Sequence, residues 1–249
     1  MNPNPLFEYL LRLGDNNLIL AQRLSSWCGH GPVLEEDIAL ANIALDLLGQ
    51  ARMWLTLAGE AEGKGRDEDK LAYHRNANEF RNLLLVEQDN GNFADTMARQ
   101  FYYDQWNYLL LGELQQSSDA RIAAIAEKSF KEVSYHIRRS SEWIIMLGDG
   151  TAESHTKIQQ AIDRLWPYTG QLFDADVIDE DLINKHIACD VSRLHDTWLK
   201  NVTATLAEAT LRLPTTQVSA EKQGAHSESF EALLAEMQIL PRTYPNATW

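Results

Sequence analysis

Cysteine is scarce in this sequence, with only Cys28 and Cys189 among 249 residues. Two thiols so far apart cannot build a disulfide framework, and they do not stand at the spacing of a metal site. We therefore expect two buried, reduced thiols, as in a cytosolic protein. Residues 1–14 lack the basic start and apolar core of a signal peptide, and no apolar run approaches the ~20 residues of a membrane helix. The sequence predicts a cytoplasmic protein without a membrane segment.

Proline is missing between Val33 and Trp166, where long helices can therefore run without interruption. Apolar residues in this part of the chain recur at helical spacing and do not alternate as they would in strands. The pattern predicts an all-α protein, an antiparallel four-helix bundle with additional C-terminal helices. We expect a single domain over 1–249, with the core bundle over about 6–147 and packing helices over about 156–240. The four long helices are predicted at 6–27, 34–57, 93–114 and 120–147.

Positive charge is also in short supply, because 36 acidic residues face 22 basic ones and the formal net charge is −14. A field of this sign repels a phosphate backbone, so nucleic acid is excluded as an expected partner. A basic protein surface would be attracted instead.

The second predicted helix is apolar on nearly every side, so we expect it to lie at the centre of the bundle. Its polar residues should then line the core. They are Asn42, Asp46, Gly49 and Gln50.

Metal ligands are too few for a di-iron bundle, which needs one Glu from each of two helices and a Glu-x-x-His pair from each of the other two. His136 lies on an apolar stripe, but the residue three positions before it is Val133, and the acid is displaced to Glu132. With Asp46 and Asp104 the core offers at most three ligands, where two irons need about six. The first interpretation is a buried polar network, and the alternative is a single metal held by Asp46, Asp104, Glu132 and His136.

Several long runs of the sequence form a distinctive set. The runs are LRLGDN at 11–16, WCGH at 27–30, LDLLGQAR at 45–52, NLLLVEQ at 82–88, NGNFAD at 90–95 and LFDAD at 172–176. They are similar to the C-subunit family (PaaC) of the bacterial phenylacetyl-CoA 1,2-epoxidases. The similarity extends from the first helix to Gln238, nearly the whole chain.

This resemblance implies a ferritin-like fold and a supporting role in phenylacetate degradation. In that family the catalytic A subunit holds the di-iron centre and adds one oxygen atom of O₂ to the aromatic ring. The C subunit is its degenerate relative and holds it in an active assembly, together with a flavin and iron–sulfur reductase and a B subunit. The resemblance therefore implies a noncatalytic structural subunit of a monooxygenase complex, with no cofactor in this chain.

The resemblance also implies contact with phenylacetyl-CoA at two segments. Their residues are Glu79, Phe80, Arg81, Asn82, Glu180, Asp181 and Leu182. Arg81 could offer a hydrogen-bond donor to a CoA phosphate. Two other functions stay open at this point, a free-standing metal-dependent oxygenase with a reduced ligand set and a CoA-ester binding module without an enzyme partner.

Overall fold

The computed structural model describes residues 4–216, 226–245 and 247, and of Val177 the backbone alone. The chain divides into two compact units, Met1–Asp89 with Gln223–Trp249 (unit 1) and Asn90–Lys222 (unit 2). The described residues contain helices and no β-strand, so the predicted all-α fold of the ferritin-like helical class is confirmed. The expectation of a single domain over 1–249 stays a prediction.

The described part of the chain contains α-helices and a few short 3₁₀ helices. The α-helices are α1 (Pro5–Ser25), α2 (Leu34–Glu62), α3 (Glu68–Tyr73), α4 (Leu84–Glu87), α5 (Phe93–Leu114), α6 (Ala120–Gly148), α7 (Ala152–Leu165), α8 (Val177–Asn184), α9 (His195–Glu208) and α10 (Phe230–Thr243). The 3₁₀ helices are Ala77–Glu79, Trp166–Phe173 and Val191–Leu194. No helix among the described residues is both long enough and apolar enough to span a membrane.

Unit 1 is built on α1 and α2, which pack against each other along their length. They are antiparallel, because Nδ2 of Asn4, just before α1, donates to the carbonyl of Ala61 near the end of α2 at 2.7 Å. The Asn4 side chain also caps α1 by accepting from the Leu6 amide. Gly63 ends α2 in the left-handed conformation that glycine adopts without strain.

Unit 2 is built on α5 and α6, again an antiparallel pair. Phe93 at the start of α5 packs edge-on against Trp143 near the end of α6, with ring centroids 4.9 Å apart. Tyr108 near the end of α5 stacks on Phe130 earlier in α6 at 4.6 Å. The helices α7 and α9 pack on this pair. The four long helices predicted from the sequence are therefore all present.

The prediction that α2 lies at the centre of the bundle is wrong, because one face of the helix is exposed. Leu34, Ile38 and Leu45 have exposed fractions of 71%, 52% and 65%. Helix α2 buries its opposite side, including Leu40, Leu47 and Trp54, in unit 1. A helix that is apolar all round shows its period but not which of its faces is covered. Most of the α2 residues that were predicted to line the core therefore do not. Asn42 and Gly49 are exposed, and only Gln50 is fully buried.

The two cysteines are free thiols, but the prediction that both are buried is wrong. Cys28 is exposed because it lies in the turn that follows α1, outside the packed helix faces. Cys189 is half-buried in the loop after α8. Desolvation raises the pKa of the Cys189 thiol to about 12, so this side chain stays protonated at neutral pH.

Candidate functional site

The core between α5 and α6 brings two of the sequence-predicted site residues together. Asp104 projects from α5 and His136 from α6, and their exposed fractions are 1% and 0%. The register of the two helices is held near this point by Gln105, whose Nε2 donates to Oγ of Ser141 at 3.2 Å. Asp104 and His136 therefore form the polar centre of an otherwise tightly packed pair of helices.

Burial dominates the electrostatics of Asp104. Desolvation raises the pKa of its carboxyl group to about 6, although the charge of His136 opposes the shift. Hydrogen bonds from Ser140 and Gln100 and the charge of Arg139 also act against it. The Gln100 bond runs from Nε2 to Oδ1 of Asp104 at 2.6 Å. This carboxyl group is stabilised by polar neighbours but still binds a proton more readily than an exposed one.

A second buried polar centre lies in unit 1, around Asp15 of α1. Nη1 of Arg75 donates to Oδ2 of Asp15 at 3.0 Å, and Nη2 of Arg75 contacts the other carboxylate oxygen. The backbone N–H of Arg81 donates to the same Oδ2 at 2.8 Å. Arg75 also donates to the Glu79 carbonyl at 2.9 Å, so one ion pair fixes the backbone of the segment 79–82.

The side chains of this segment are engaged within unit 1. Arg75 lies over the ring of Phe80 at 4.1 Å from the centroid, and Phe80 packs edge-on against Phe230. Arg81 donates from Nε to the Glu8 carboxylate at 2.7 Å. Each of these contacts accounts for its residue without a ligand, and substrate contact here stays a prediction.

The second expected substrate segment lies in unit 2, on α8. Glu180 and Asp181 are exposed, and Asp181 forms an ion pair with Lys185 at 2.7 Å. Leu182 is buried, and its carbonyl accepts from the Ile187 amide at 2.9 Å. Substrate contact at this segment also stays a prediction.

Comparison with known proteins identifies the family. The profile of a family described as phenylacetic acid catabolic protein matches residues 1–249, the whole chain. The chain belongs to the phenylacetic acid catabolic protein family. It is similar to the C subunit of 1,2-phenylacetyl-CoA epoxidase from Escherichia coli (strain K12), with 52% identity over 248 residues. That alignment covers 99% of this chain and 100% of the relative.

The core donors of this family member do not fit a di-iron centre. Of the four predicted positions, the structure brings Asp104 and His136 together, and Glu132 of α6 is half-buried one turn before His136. Asp46 is half-buried on α2 in unit 1. Within residues 4–216, 226–245 and 247, no three His, Cys, Asp or Glu side chains are grouped so that they could hold a metal ion. One carboxylate and one imidazole fall well short of the roughly six ligands that two irons need.

The sequence analysis did not identify one buried carboxylate, that of Glu87, and the hydrogen bonds that it accepts. Glu87 ends α4 with an exposed fraction of 0%, and its carboxylate accepts from Nδ2 of Asn82 at 2.9 Å. Nδ1 of His226 lies 2.8 Å from the same oxygen, and the Ser227 backbone N–H donates to the other. The only signal in the sequence is a glutamate directly after an apolar run, inside one of the motifs that carry the resemblance.

Proposed function

We propose that this chain is the noncatalytic structural subunit of a multicomponent phenylacetyl-CoA 1,2-epoxidase in aerobic phenylacetate degradation. Its role is to support a separate di-iron catalytic protein, the A subunit of such a complex. The relative from E. coli that shares 52% of its residues is named as the C subunit of this enzyme. The assembly would also include a reductase that carries flavin and iron–sulfur groups, together with a B subunit, and it would work in the cytoplasm.

The observation that carries the proposal is the donor set between α5 and α6. A catalytic di-iron bundle places carboxylates and imidazoles from four helices around its metals. Here the buried centre of unit 2 holds Asp104 and His136, with the Arg139 guanidinium acting on the same carboxyl group. A cation, an amide and a hydroxyl act on this carboxylate, as in a buried structural network.

A supporting subunit of this kind has a physical purpose. An oxygenase must keep its metal-binding helices rigid and exclude water from the reacting centre. A second helical protein that covers those helices does both, and a permanent complex of this kind buries a large, apolar interface. The family membership and the lack of a catalytic donor set in the described residues together favour this role over catalysis by the chain itself.

The proposal is tested by purifying the chain alone and together with the proposed di-iron subunit. We expect the isolated chain to contain far less than one iron per chain by elemental analysis and to show no epoxidation of phenylacetyl-CoA. We expect the two proteins to purify together and the oxygenase activity to depend on both. Two equivalents of iron in the isolated chain, with activity abolished by Asp104→Ala, would instead establish a free-standing oxygenase.

The CoA-ester binding module gives a different pattern in the same experiment. It would bind phenylacetyl-CoA tightly as an isolated chain and recover no di-iron subunit on co-purification. Isothermal titration of the isolated chain with phenylacetyl-CoA and with free CoA separates this pattern from the proposed one.

A further inference from the structure

The first half of one face of α2 is exposed, although three of its side chains there are large and apolar. The large apolar side chains of this face are those of Leu34, Ile38 and Leu45. The same face also contains Asn42 and Gly49. We call these five residues the α2 outer stripe. Single exposed apolar side chains are ordinary on a protein surface, but several aligned on one helix indicate a binding surface.

The spacing of the stripe indicates that its occupant is another α-helix. Its members follow one another at intervals of four and three residues from Ile38 through Asn42 and Leu45 to Gly49. Alternation of four and three is the spacing of the seam along which two helices pack side by side. A flat surface or an extended peptide has no need of this period.

Gly49 is the second, independent observation. It lies in the interior of a long helix, where glycine is less stable than alanine. A Cβ atom at this position would meet no described atom of the chain within 4 Å, so nothing within the described structure requires a glycine there. By contrast, a Cβ on Gly14 in α1 would lie 2.7 Å from Leu55, so that glycine has a packing reason within the chain. An open glycine on an outer face allows the close approach of a backbone from outside.

Charge decides between a second copy and a different protein. The chain has a net charge of −14, and the exposed Glu35 lies beside Leu34 at the rim of the stripe. A second copy carries the same net negative charge, whereas a partner with basic residues at this end would be attracted. The relative from E. coli is named as one lettered subunit of an epoxidase, so other subunits exist for that protein.

We propose that the α2 outer stripe is the surface that receives a helix of the catalytic epoxidase subunit, with a large side chain seated over Gly49. This inference rests on the proposed function, since it names the surface through which the supporting role is exercised. The docking helix presents an apolar seam to Ile38 and Leu45 and basic side chains to Glu35.

The test uses the full chain and the di-iron subunit, with binding measured by titration of one purified protein into the other. Leu45→Glu places a charge in the seam, and Gly49→Leu fills the open position. Met146→Glu on α6 is the matched control, because Met146 is an apolar residue with an exposed fraction of 51% in the other unit. Thermal unfolding of each isolated variant shows that the fold is retained, and Gly49→Leu decides if Leu45→Glu does not fold.

We expect Leu45→Glu and Gly49→Leu to weaken binding by about 30-fold or more. Met146→Glu should change binding by no more than about threefold. Unchanged binding in both α2 variants, or equal loss in the control, would overturn the docking surface and leave the proposed function standing. Failure of the wild-type chain to bind the di-iron subunit would overturn both.

Light scattering of the isolated chain completes the test. If the wild-type chain is a dimer that Leu45→Glu converts to a monomer, and binding of the di-iron subunit is unaffected, a second copy occupies the stripe and the proposal is wrong. A monomeric wild-type chain together with loss of binding in the α2 variants supports it.

Discussion

Arg75 and Asp15 form an ion pair from which solvent is excluded, with side-chain exposed fractions of 1% and 0%. Asp15 belongs to α1, and Arg75 follows α3, so the pair ties the first helix to an irregular segment that has few backbone hydrogen bonds of its own. The same unit contains a contrasting pair, Arg81 and Glu8, whose arginine side chain is 35% exposed. The two pairs have the same chemistry and differ in burial.

We expect this difference in burial to decide the effect of mutation. Asp15→Ala leaves the Arg75 charge buried and unpaired, which should lower the free energy of unfolding by about 3–5 kcal/mol. Glu8→Ala breaks a partly exposed pair and should lower it by about 1 kcal/mol or less. Chemical denaturation of the three proteins gives both values. Equal effects of the two variants would show that the buried pair contributes no more than a surface one.

Two helix glycines should respond to alanine in opposite directions. Gly14→Ala brings a Cβ atom to 2.7 Å from Leu55, whose side chain is itself buried, so we expect a net loss of stability of about 1 kcal/mol. Gly49→Ala adds a Cβ atom in open space within a helix, and we expect a gain of about 1 kcal/mol in the isolated chain. Thermal unfolding of the isolated variants measures both. A loss of stability in Gly49→Ala would mean that this glycine has an unrecognised role within the chain itself.

The long helices could be predicted from the sequence because their signals are local. The absence of proline, the apolar period and terminators such as Gly63 each act within a few residues. The inward positions of Asp104 and His136 were predictable for the same reason, since both lie on apolar stripes of long helices. Periodicity assigns a residue to one face of its helix. For α5 and α6 this assignment was sufficient to predict that the two side chains point into the core.

The features that could not be predicted from the sequence depend on contacts between distant parts of the chain. The segment after α3 is irregular because Asp15 and the buried Glu87 satisfy its polar groups, and neither partner is marked by local sequence. The exposed face of α2 could not be told from its buried face, because both are apolar. Cys28 and Cys189 are exposed and half-buried because their loops lie outside the helix pairs, a matter of tertiary placement and not of residue type.

Glu87 should control how firmly α10 is held in unit 1. Its carboxylate accepts a hydrogen bond from the backbone N–H of Ser227 and lies 2.8 Å from Nδ1 of His226. Both residues lie just before α10. Glu87→Ala leaves these groups without their acceptor, and we expect a loss of about 3 kcal/mol in unfolding free energy. Hydrogen exchange of the Ser227 amide and of α10 should accelerate strongly.

The control for this prediction is Glu231→Ala, because Glu231 is an exposed carboxylate in the first turn of α10. It should change the unfolding free energy by less than about 1 kcal/mol and leave the Ser227 amide protected. Equal exchange rates for the wild-type chain and Glu87→Ala would show that the helix is held by its apolar contacts alone.

Asp104 should make stability depend on pH in the direction opposite to an ordinary ion-paired carboxylate. Its pKa is raised to about 6 by burial in the folded chain, against an ordinary value of 3.8 for an exposed aspartate. Between these values the folded chain holds a proton that the unfolded chain has lost, so stability falls as pH rises through this range. The full contribution is present below about pH 4 and is lost above about pH 6, and it amounts to about 3 kcal/mol.

Asp104→Asn removes this titration while it preserves the size of the side chain. We expect the difference in unfolding free energy between wild type and variant to shift by about 2 kcal/mol in favour of the variant from pH 4 to pH 7. Denaturation at closely spaced pH values measures it, and the comparison with the variant cancels the other carboxylates that titrate in the same range. A constant difference over that range would mean that His136, Arg139 and Gln100 compensate the burial of Asp104 fully, and that the carboxylate is charged throughout. In that case the Asp104 carboxylate would be an ionised member of a buried ion network, and it would not take up a proton in this pH range.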